Sequence, residues 1–124
     1  MRAPELLTGL RVVAKPGAID VLAAPVGGAV LRIAADDAIV TGATDVAVDD
    51  AYAIVEPEYT FVHWRLTPGE FEAIARHIEW PLPPAGRLGQ GLIAGVSAKI
   101  VIESDHVLLI VSASLADELT ERLW

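Results

Sequence analysis

The sequence has no cysteine, few basic side chains and no long apolar run, and each deficit excludes a class of protein. Without cysteine the chain can form neither a disulfide framework nor a thiolate metal site. The 9 Lys and Arg are outnumbered by 17 Asp and Glu, giving a net charge of −8. Nucleic acids and anionic membrane surfaces both require clustered cations, so neither is expected as a partner. No apolar stretch approaches the ~18 residues of a membrane-spanning helix, and no leader-like segment is evident, so the expected location is the cytoplasm.

Apolar residues, by contrast, are abundant. They make up 53% of the chain, and the mean hydropathy is +0.48. A chain of 124 residues is expected to form one domain, 1–124, whose limited volume cannot bury all of this surface. We therefore expect an interface with another protein, most simply a homo-oligomer.

The clearest local signal is a helix that begins after Thr67. This threonine is a suitable N-cap, Pro68 falls at the first helical position, and Glu70 completes a T-x-x-E capping box. Pro81 is predicted to end the helix just beyond Trp80. Apolar residues with helical spacing predict one buried stripe: Phe71, Ile74, Ala75 and Ile78.

Strand patterns surround this helix. The segment 60–66 alternates with period two and places Val62, Trp64 and Leu66 on one face. After the helix we expect a glycine-rich loop at 86–91, then a hairpin of strands 92–103 and 107–112. A final helix is expected to begin near Ser114.

The N-terminal half, 1–51, is β-rich in pattern. Short apolar runs at 10–14 and 19–24 are followed by a hairpin, 29–34 with 38–41. A short strand at 52–55 leads into the C-terminal half, 52–124, which reads as strand, helix, strand, strand and helix. The predicted fold class is α+β, a single two-layer domain in which an antiparallel or mixed sheet carries two helices on one face.

Three stretches of the C-terminal half carry a family resemblance: "LTPGEF", "GQGLIAGVSAKIVI" and "VLLIVSASLADELTERLW". With the strands before them they cover about 70 residues, from Ala53 onward. In this order they resemble the gamma subunit of heterotetrameric sarcosine oxidase and, more broadly, the folate-binding domain of glycine-cleavage T-proteins. The resemblance implies a non-catalytic accessory chain that docks on a larger oxidoreductase-type subunit. It also raises folate as a possible ligand, although the gamma subunit itself holds no cofactor.

Two groups of residues allow catalytic or metal-site hypotheses. Seven carboxylates and no Lys or Arg lie between Arg32 and Arg65, which could attract a divalent cation. Their spacing matches no EF-hand loop, so a solvated acidic face is the better interpretation. His63 could work with Glu56 and Glu58 as an acid–base pair, but nothing in the spacing brings them together. We predict no catalytic residue and no metal ligand; the enzyme hypothesis remains the weakest.

Contact residues are better supported than catalytic ones. The glycine run 89–95 precedes a strand, whereas a phosphate-binding run follows one, so a loop is expected there instead. The predicted ligand or partner contacts are Trp64, Trp80, Arg87 and Trp124, since tryptophan and arginine are enriched at interfaces. The sequence thus predicts an interaction module, with a folate-like small-molecule binder as the alternative.

Overall fold

Residues 2–124 are described by the structure, a computed structural model, and they divide into two compact units. The N-terminal unit contains residues 7–59, and the C-terminal unit contains residues 2–6 with 60–124. Both units combine strands with short helices, in agreement with the predicted α+β class. The elements are β1 (Glu5–Val13), α1 (Pro16–Asp20), β2 (Val30–Ala34), β3 (Asp37–Thr41), β4 (Ile54–Leu66), α2 (Pro68–Ala75), β5 (Leu88–Ile93), β6 (Val96–Ile102), β7 (Val107–Ser112), a 3₁₀ turn (Ala113–Leu115) and α3 (Ala116–Leu123).

The predicted halves, 1–51 and 52–124, do not coincide with these units. Strand β4 is continuous from Ile54 to Leu66, so it includes only the last two residues of the predicted strand at 52–55. The expected break between a short strand and the strand at 60–66 is therefore absent. The organisation of 1–124 as a single domain stays a prediction.

In the C-terminal unit the strand order is β4-β7-β6-β5, and each neighbouring pair is antiparallel. The alternation predicted for 60–66 is confirmed, because Trp64 and Leu66 are buried and Val62 packs against them. Helices α2 and α3 both contribute to this core, through Ile74 and Leu119 respectively.

The helix after Thr67 is confirmed together with its capping box. The Thr67 hydroxyl accepts a hydrogen bond from the Glu70 amide, and the Glu70 carboxylate accepts one from the Thr67 amide. The helix ends at Ala75 rather than at Trp80. The amides of His77 and Ile78 bond to carbonyls three residues back, which tightens the chain, and Ile78 forms a β-bridge with Ile93. Ile78 therefore pairs with the sheet, although its spacing from Phe71 and Ile74 fits a helix.

The predicted boundary between a loop at 86–91 and a single strand at 92–103 is wrong. Residues 88–91 are not a loop but part of strand β5, and a two-residue turn, Ala94-Gly95, interrupts the predicted strand 92–103 and separates β5 from β6. Both turn residues have positive φ, 48° for Ala94 and 81° for Gly95, as a type I′ hairpin requires. The hairpin between β6 and β7 is confirmed.

The last helix begins later than expected. The Ser114 hydroxyl contacts the Ser112 hydroxyl at 3.0 Å, and the N-cap position of α3 is occupied by Leu115. The 3₁₀ turn therefore takes up the residues assigned to the first helical turn. Leu119 is fully buried, in agreement with the apolar face of this helix.

In the N-terminal unit β3 lies between β2 and β1, and both pairings are antiparallel. The hairpin predicted around Asp36-Asp37 is confirmed. The apolar run at 19–24 is not extended, since Pro16 begins helix α1, which buries Ala18 and Ile19. These two side chains pack with Leu10 and Val12 of β1 in a separate core.

Candidate functional site

A cleft of about 530 Å³ opens in the C-terminal unit where the chain leaves α2 and meets the β5–β6 turn. It is formed because the Ile78–Ile93 bridge brings the segment after α2 against β5. Its residues come from these two segments; the Trp80 cleft is lined by Arg76, His77, Glu79, Trp80, Leu92, Ala94 and Gly95.

Trp80 forms a fixed wall of this cleft. Its indole Nε1 donates a hydrogen bond of 2.8 Å to the Leu92 carbonyl. The ring lies over Gly91, where an added Cβ would come within 2.6 Å of two ring atoms. Pro83 lies in the same way over Gly89, at 2.8 Å from an added Cβ. Gly89 and Gly91 lie on one face of β5, and their lack of a side chain leaves room for Trp80 and Pro83 to pack there. This packing explains why glycine occupies both positions.

The opposite end of the cleft is held by a strained turn. Ala94 has a φ of 48°, a conformation that disfavours a side chain with a Cβ. Arg122 of α3 donates a hydrogen bond to the Ala94 carbonyl at 2.8 Å and pairs with Glu118 at 2.5 Å. These contacts fix the position of the turn beside Leu92, whose side chain is 59% exposed.

The polar side chains of the cleft are suited to binding rather than to covalent chemistry. Arg76 Nε donates a hydrogen bond to His77 Nε2 at 3.3 Å. Glu79 is exposed to solvent. The lining contains no serine, threonine, cysteine or lysine that could act as a nucleophile. What the cleft offers is an aromatic wall, an exposed aliphatic side chain and a few charges.

The other predicted contact residues lie outside this cleft. Trp64 is 1% exposed and donates its indole N–H to the Arg2 carbonyl at 3.1 Å. Its ring contacts that of Trp124, with centroids 5.8 Å apart and planes at 51°. Trp124 remains 43% exposed. Arg87 is exposed in the turn before β5, and its amide bonds to the Pro84 carbonyl. The structure therefore pairs Trp64 with Trp124 and leaves Trp80 and Arg87 apart from them.

His63 is half-buried on the sheet face opposite Trp64. Its Nδ1 is inaccessible and has no hydrogen-bond partner among residues 2–124. Its Nε2 lies 3.9 Å from a carboxylate oxygen of Glu5. Burial lowers the pKa of His63; Glu5 raises it in opposition, and the positive charge of Arg65 lowers it further.

Three carboxylates of the acidic segment, Asp37, Asp50 and Glu58, make internal contacts in the N-terminal unit. Arg11 forms a bidentate pair with Asp37, at 2.5 and 2.7 Å, and a bond of 3.0 Å to Glu58. Asp50 accepts hydrogen bonds from the amides of Lys15 and Tyr52, and these bonds lower its pKa. Across residues 2–124 no group of three His, Cys, Asp or Glu side chains is arranged to hold a metal ion. The geometry gives the divalent-cation hypothesis no support.

Sequence reasoning singled out Trp80 but missed the cleft beside it. The predicted strand 92–103 begins at Leu92 and includes Ala94, so the sequence predicts no turn and no cleft at this point. A signal existed in the spacing of Gly89 and Gly91, which share one face of a strand and so leave room for a bulky partner. The Trp80–Pro83 segment was the nearest source of such a partner.

Comparisons with known proteins identify no relative. No family model matches the chain, and neither the curated proteins nor the solved structures include a significant match. Within residues 2–124 the structure contains no helix of the length and apolarity needed to cross a membrane. Function therefore has to be argued from the geometry alone.

Proposed function

We propose that this chain is a non-catalytic interaction module, similar in role to the gamma subunit of sarcosine oxidase. In this proposal a cytoplasmic two-layer domain docks on a larger oxidoreductase-type subunit or on a second copy of itself. The Trp80 cleft is the contact point and receives an apolar side chain of the partner.

The observation that carries the proposal is the fixed indole of Trp80 beside the exposed side chain of Leu92. The hydrogen bond to the Leu92 carbonyl and the fit against Gly91 hold the ring before any partner arrives. A preorganised aromatic wall binds with little loss of conformational entropy, which is typical of interface hot spots. Leu92, at 59% exposure, gains most from being covered.

The test uses the full chain labelled with 5-fluorotryptophan, which gives three ¹⁹F signals because the sequence has three tryptophans. Self-association is measured by size exclusion with light scattering over a range of concentrations. Docking is measured by adding a purified alpha–beta assembly of a heterotetrameric sarcosine oxidase that lacks its gamma subunit. We expect a complex in one of the two experiments, with a shift of the Trp80 signal.

Leu92→Asp should weaken this complex about tenfold or more, because it places a charge in the covered cleft. Val26→Asp is the matched control, since Val26 is fully exposed and lies in the N-terminal unit. A chain that stays monomeric, leaves the alpha–beta assembly free and keeps its Trp80 signal unchanged would refute the proposal.

A folate-like small molecule is the second candidate occupant. The cleft volume of about 530 Å³ falls in the usual range for ligand sites, and Arg76 could pair with a ligand carboxylate. Pro83 and Trp80 cover Gly89 and Gly91 of β5, so the cleft beside Trp80 is where this ligand would bind. Folates that raise the melting temperature of the wild type but not of Arg76→Ala would favour this candidate; no shift at millimolar folate would exclude it.

A further inference from the structure

The only two tyrosines of the chain are close to each other in the sequence, belong to the N-terminal unit, and are both exposed. Tyr52 is 93% exposed and Tyr59 is 66% exposed, while Ile54 and Val55 between them are 56% and 42% exposed. Single exposed apolar residues are common, but here four lie within eight residues of the chain, on both sides of the extended segment. We define the tyrosine surface as Tyr52, Ile54, Val55 and Tyr59.

The backbone of this surface is extended. Strand β4 begins at Ile54, while its ladder with β7 begins only at Phe61. β1 is the other neighbour of β4 in the strand order, and among the described residues the part of β4 before Phe61 lacks a ladder on its β7 side; Pro57 lies in this part and has no N–H to donate. Residues 54–57 are all exposed, so an extended chain could lie along them.

The charges near the tyrosine surface indicate which kind of partner segment could bind there. Between Arg32 and Arg65 there are seven carboxylates and no Lys or Arg. Arg11 pairs with two of them, Asp37 and Glu58. The exposed carboxylates that precede or interrupt the tyrosine surface are Asp45, Asp49 and Glu56. The amide of Lys15, an exposed cation, bonds to Asp50, but the carboxylates outnumber this cation, so a partner that covers the surface meets a net negative potential and should be cationic.

A second copy of the chain does not satisfy this requirement. A symmetric contact would place the tyrosine surface against itself and bring Glu56 of each copy close to the carboxylates of the other. The net charge of −8 adds a general repulsion between copies. Exposed tyrosine rings, in contrast, are good acceptors for Lys and Arg through cation–π contacts.

We propose that the tyrosine surface binds an extended, cationic segment of a partner protein, in which basic and aliphatic residues alternate. Alternation follows from the strand itself: Val55 and Tyr59 project to one side of β4, while Ile54 and Glu56 project to the other. This inference does not depend on the Trp80 cleft.

The test exploits the two tyrosines. Labelling with 3-fluorotyrosine gives two ¹⁹F signals, both from the tyrosine surface. The labelled chain is titrated with an alternating Lys-Val octapeptide, and with Lys-Ser and Glu-Val octapeptides as controls. We expect both signals to shift in a saturable way with Lys-Val, about tenfold more weakly with Lys-Ser, and not at all with Glu-Val.

Two variants locate the binding. Glu56→Lys reverses a charge beside the surface, and Tyr59→Ser removes an aromatic ring; each should weaken Lys-Val binding about tenfold. Glu121→Lys, an equal charge reversal on an exposed position of α3, should leave binding unchanged. Circular dichroism of each variant verifies that it folds. If Tyr59→Ser does not fold, Glu56→Lys alone still tests whether binding occurs at the tyrosine surface.

Each remaining outcome overturns the proposal. Unmoved tyrosine signals at millimolar peptide, or equal affinity for Lys-Val and Lys-Ser, would show that the surface does not select such a segment. Tyrosine signals that change with protein concentration alone would make a second copy the occupant. Tryptophan signals recorded in the same titrations report on the Trp80 cleft, so failure here is distinguishable from failure of the proposed function.

Discussion

The indole of Trp80 occupies the space that a side chain at position 91 would need. A Cβ on Gly91 would lie 2.6 Å from the indole Nε1, the atom that donates to the Leu92 carbonyl. The absence of a side chain at Gly91 therefore allows the Trp80 ring to take its position in the cleft and to form its hydrogen bond. The glycine is required by packing, not by chain flexibility.

Gly91→Ala should therefore displace Trp80 and lower the free energy of unfolding by about 1–3 kcal/mol, the usual cost of overpacking. Urea unfolding measures the stability, and a red-shifted tryptophan emission reports the displaced ring. Gly69→Ala is the control, because nothing lies within 4 Å of an added Cβ there and alanine favours the helix. Equal stability of Gly91→Ala and the wild type would show that the close approach is not maintained in solution.

Much of the architecture could be predicted because local chemistry and tertiary packing agree. Thr67, Pro68 and Glu70 specify the start of α2 by capping alone, and the structure keeps that start. The end of α2 could not be predicted in this way. The position of Ile78 in the sequence fits the apolar stripe of a helix, but the residue forms a β-bridge instead. The bridge depends on Ile93, which is distant in the sequence and so is not visible in the local pattern.

The β5–β6 turn escaped prediction for a related reason. Type I′ turns favour Asn-Gly or Asp-Gly, and Ala94-Gly95 carries only half of that signal between two apolar runs. The cleft depends on this turn, on Arg122 from a helix 28 residues away and on the Trp80–Gly91 contact. None of these long-range contacts is encoded in a local pattern, so the aromatic residue was identified but its surroundings were not.

Replacement of Ala94 should relieve the strain in the turn. Ala94 is the one non-glycine residue with positive φ within residues 2–124. Asparagine adopts this conformation more readily, so Ala94→Asn should raise the free energy of unfolding by about 1 kcal/mol. Ala35→Asn, in the exposed turn between β2 and β3, should change it by less than about 0.5 kcal/mol. Denaturant midpoints of the two variants provide the comparison, and a destabilised Ala94→Asn protein would contradict the assigned turn.

The Arg11 pairs should matter more than any other ion pair of the N-terminal unit. The Glu58 side chain is only 8% exposed, and Arg11→Ala would leave its charge without this partner. The Tyr59 amide still donates to Glu58, so the free energy of unfolding should fall by about 2–3 kcal/mol rather than by the full cost of an isolated buried charge. The pKa of Arg11 is raised, first by the hydrogen bond to Asp37, so this side chain stays protonated at every accessible pH.

Arg32→Ala is the matched comparison within the same unit. Arg32 pairs with Asp20, but the two side chains are 38% and 60% exposed. The loss should be about 1 kcal/mol or less, as for other exposed pairs. Thermal unfolding of both variants ranks the two effects, and an Arg11→Ala protein no less stable than Arg32→Ala would contradict the assigned burial of Glu58.

His63 should make the fold sensitive to mild acid. Its pKa in the folded state lies below the usual value of about 6.5, because burial disfavours the cation. A group with a depressed folded pKa binds more protons when unfolded, so stability increases with pH. The contribution of neutral His63 is present above about pH 6.5 and is lost as the pH falls through the folded pKa.

This window is separate from that of the carboxylates. The pKa of Glu70 is lowered by its bond from Arg2, and that of Asp105 by its bond from His106, so both lose their contributions only near and below pH 4. The free energy of unfolding should therefore decline between pH 6.5 and 5 in the wild type and decline less in His63→Gln. Because Nδ1 of His63 is buried and has no partner within residues 2–124, the imidazolium would hold an unpaired N–H at this atom. An NMR titration that gives His63 a pKa above about 6.5 would reverse the predicted sign.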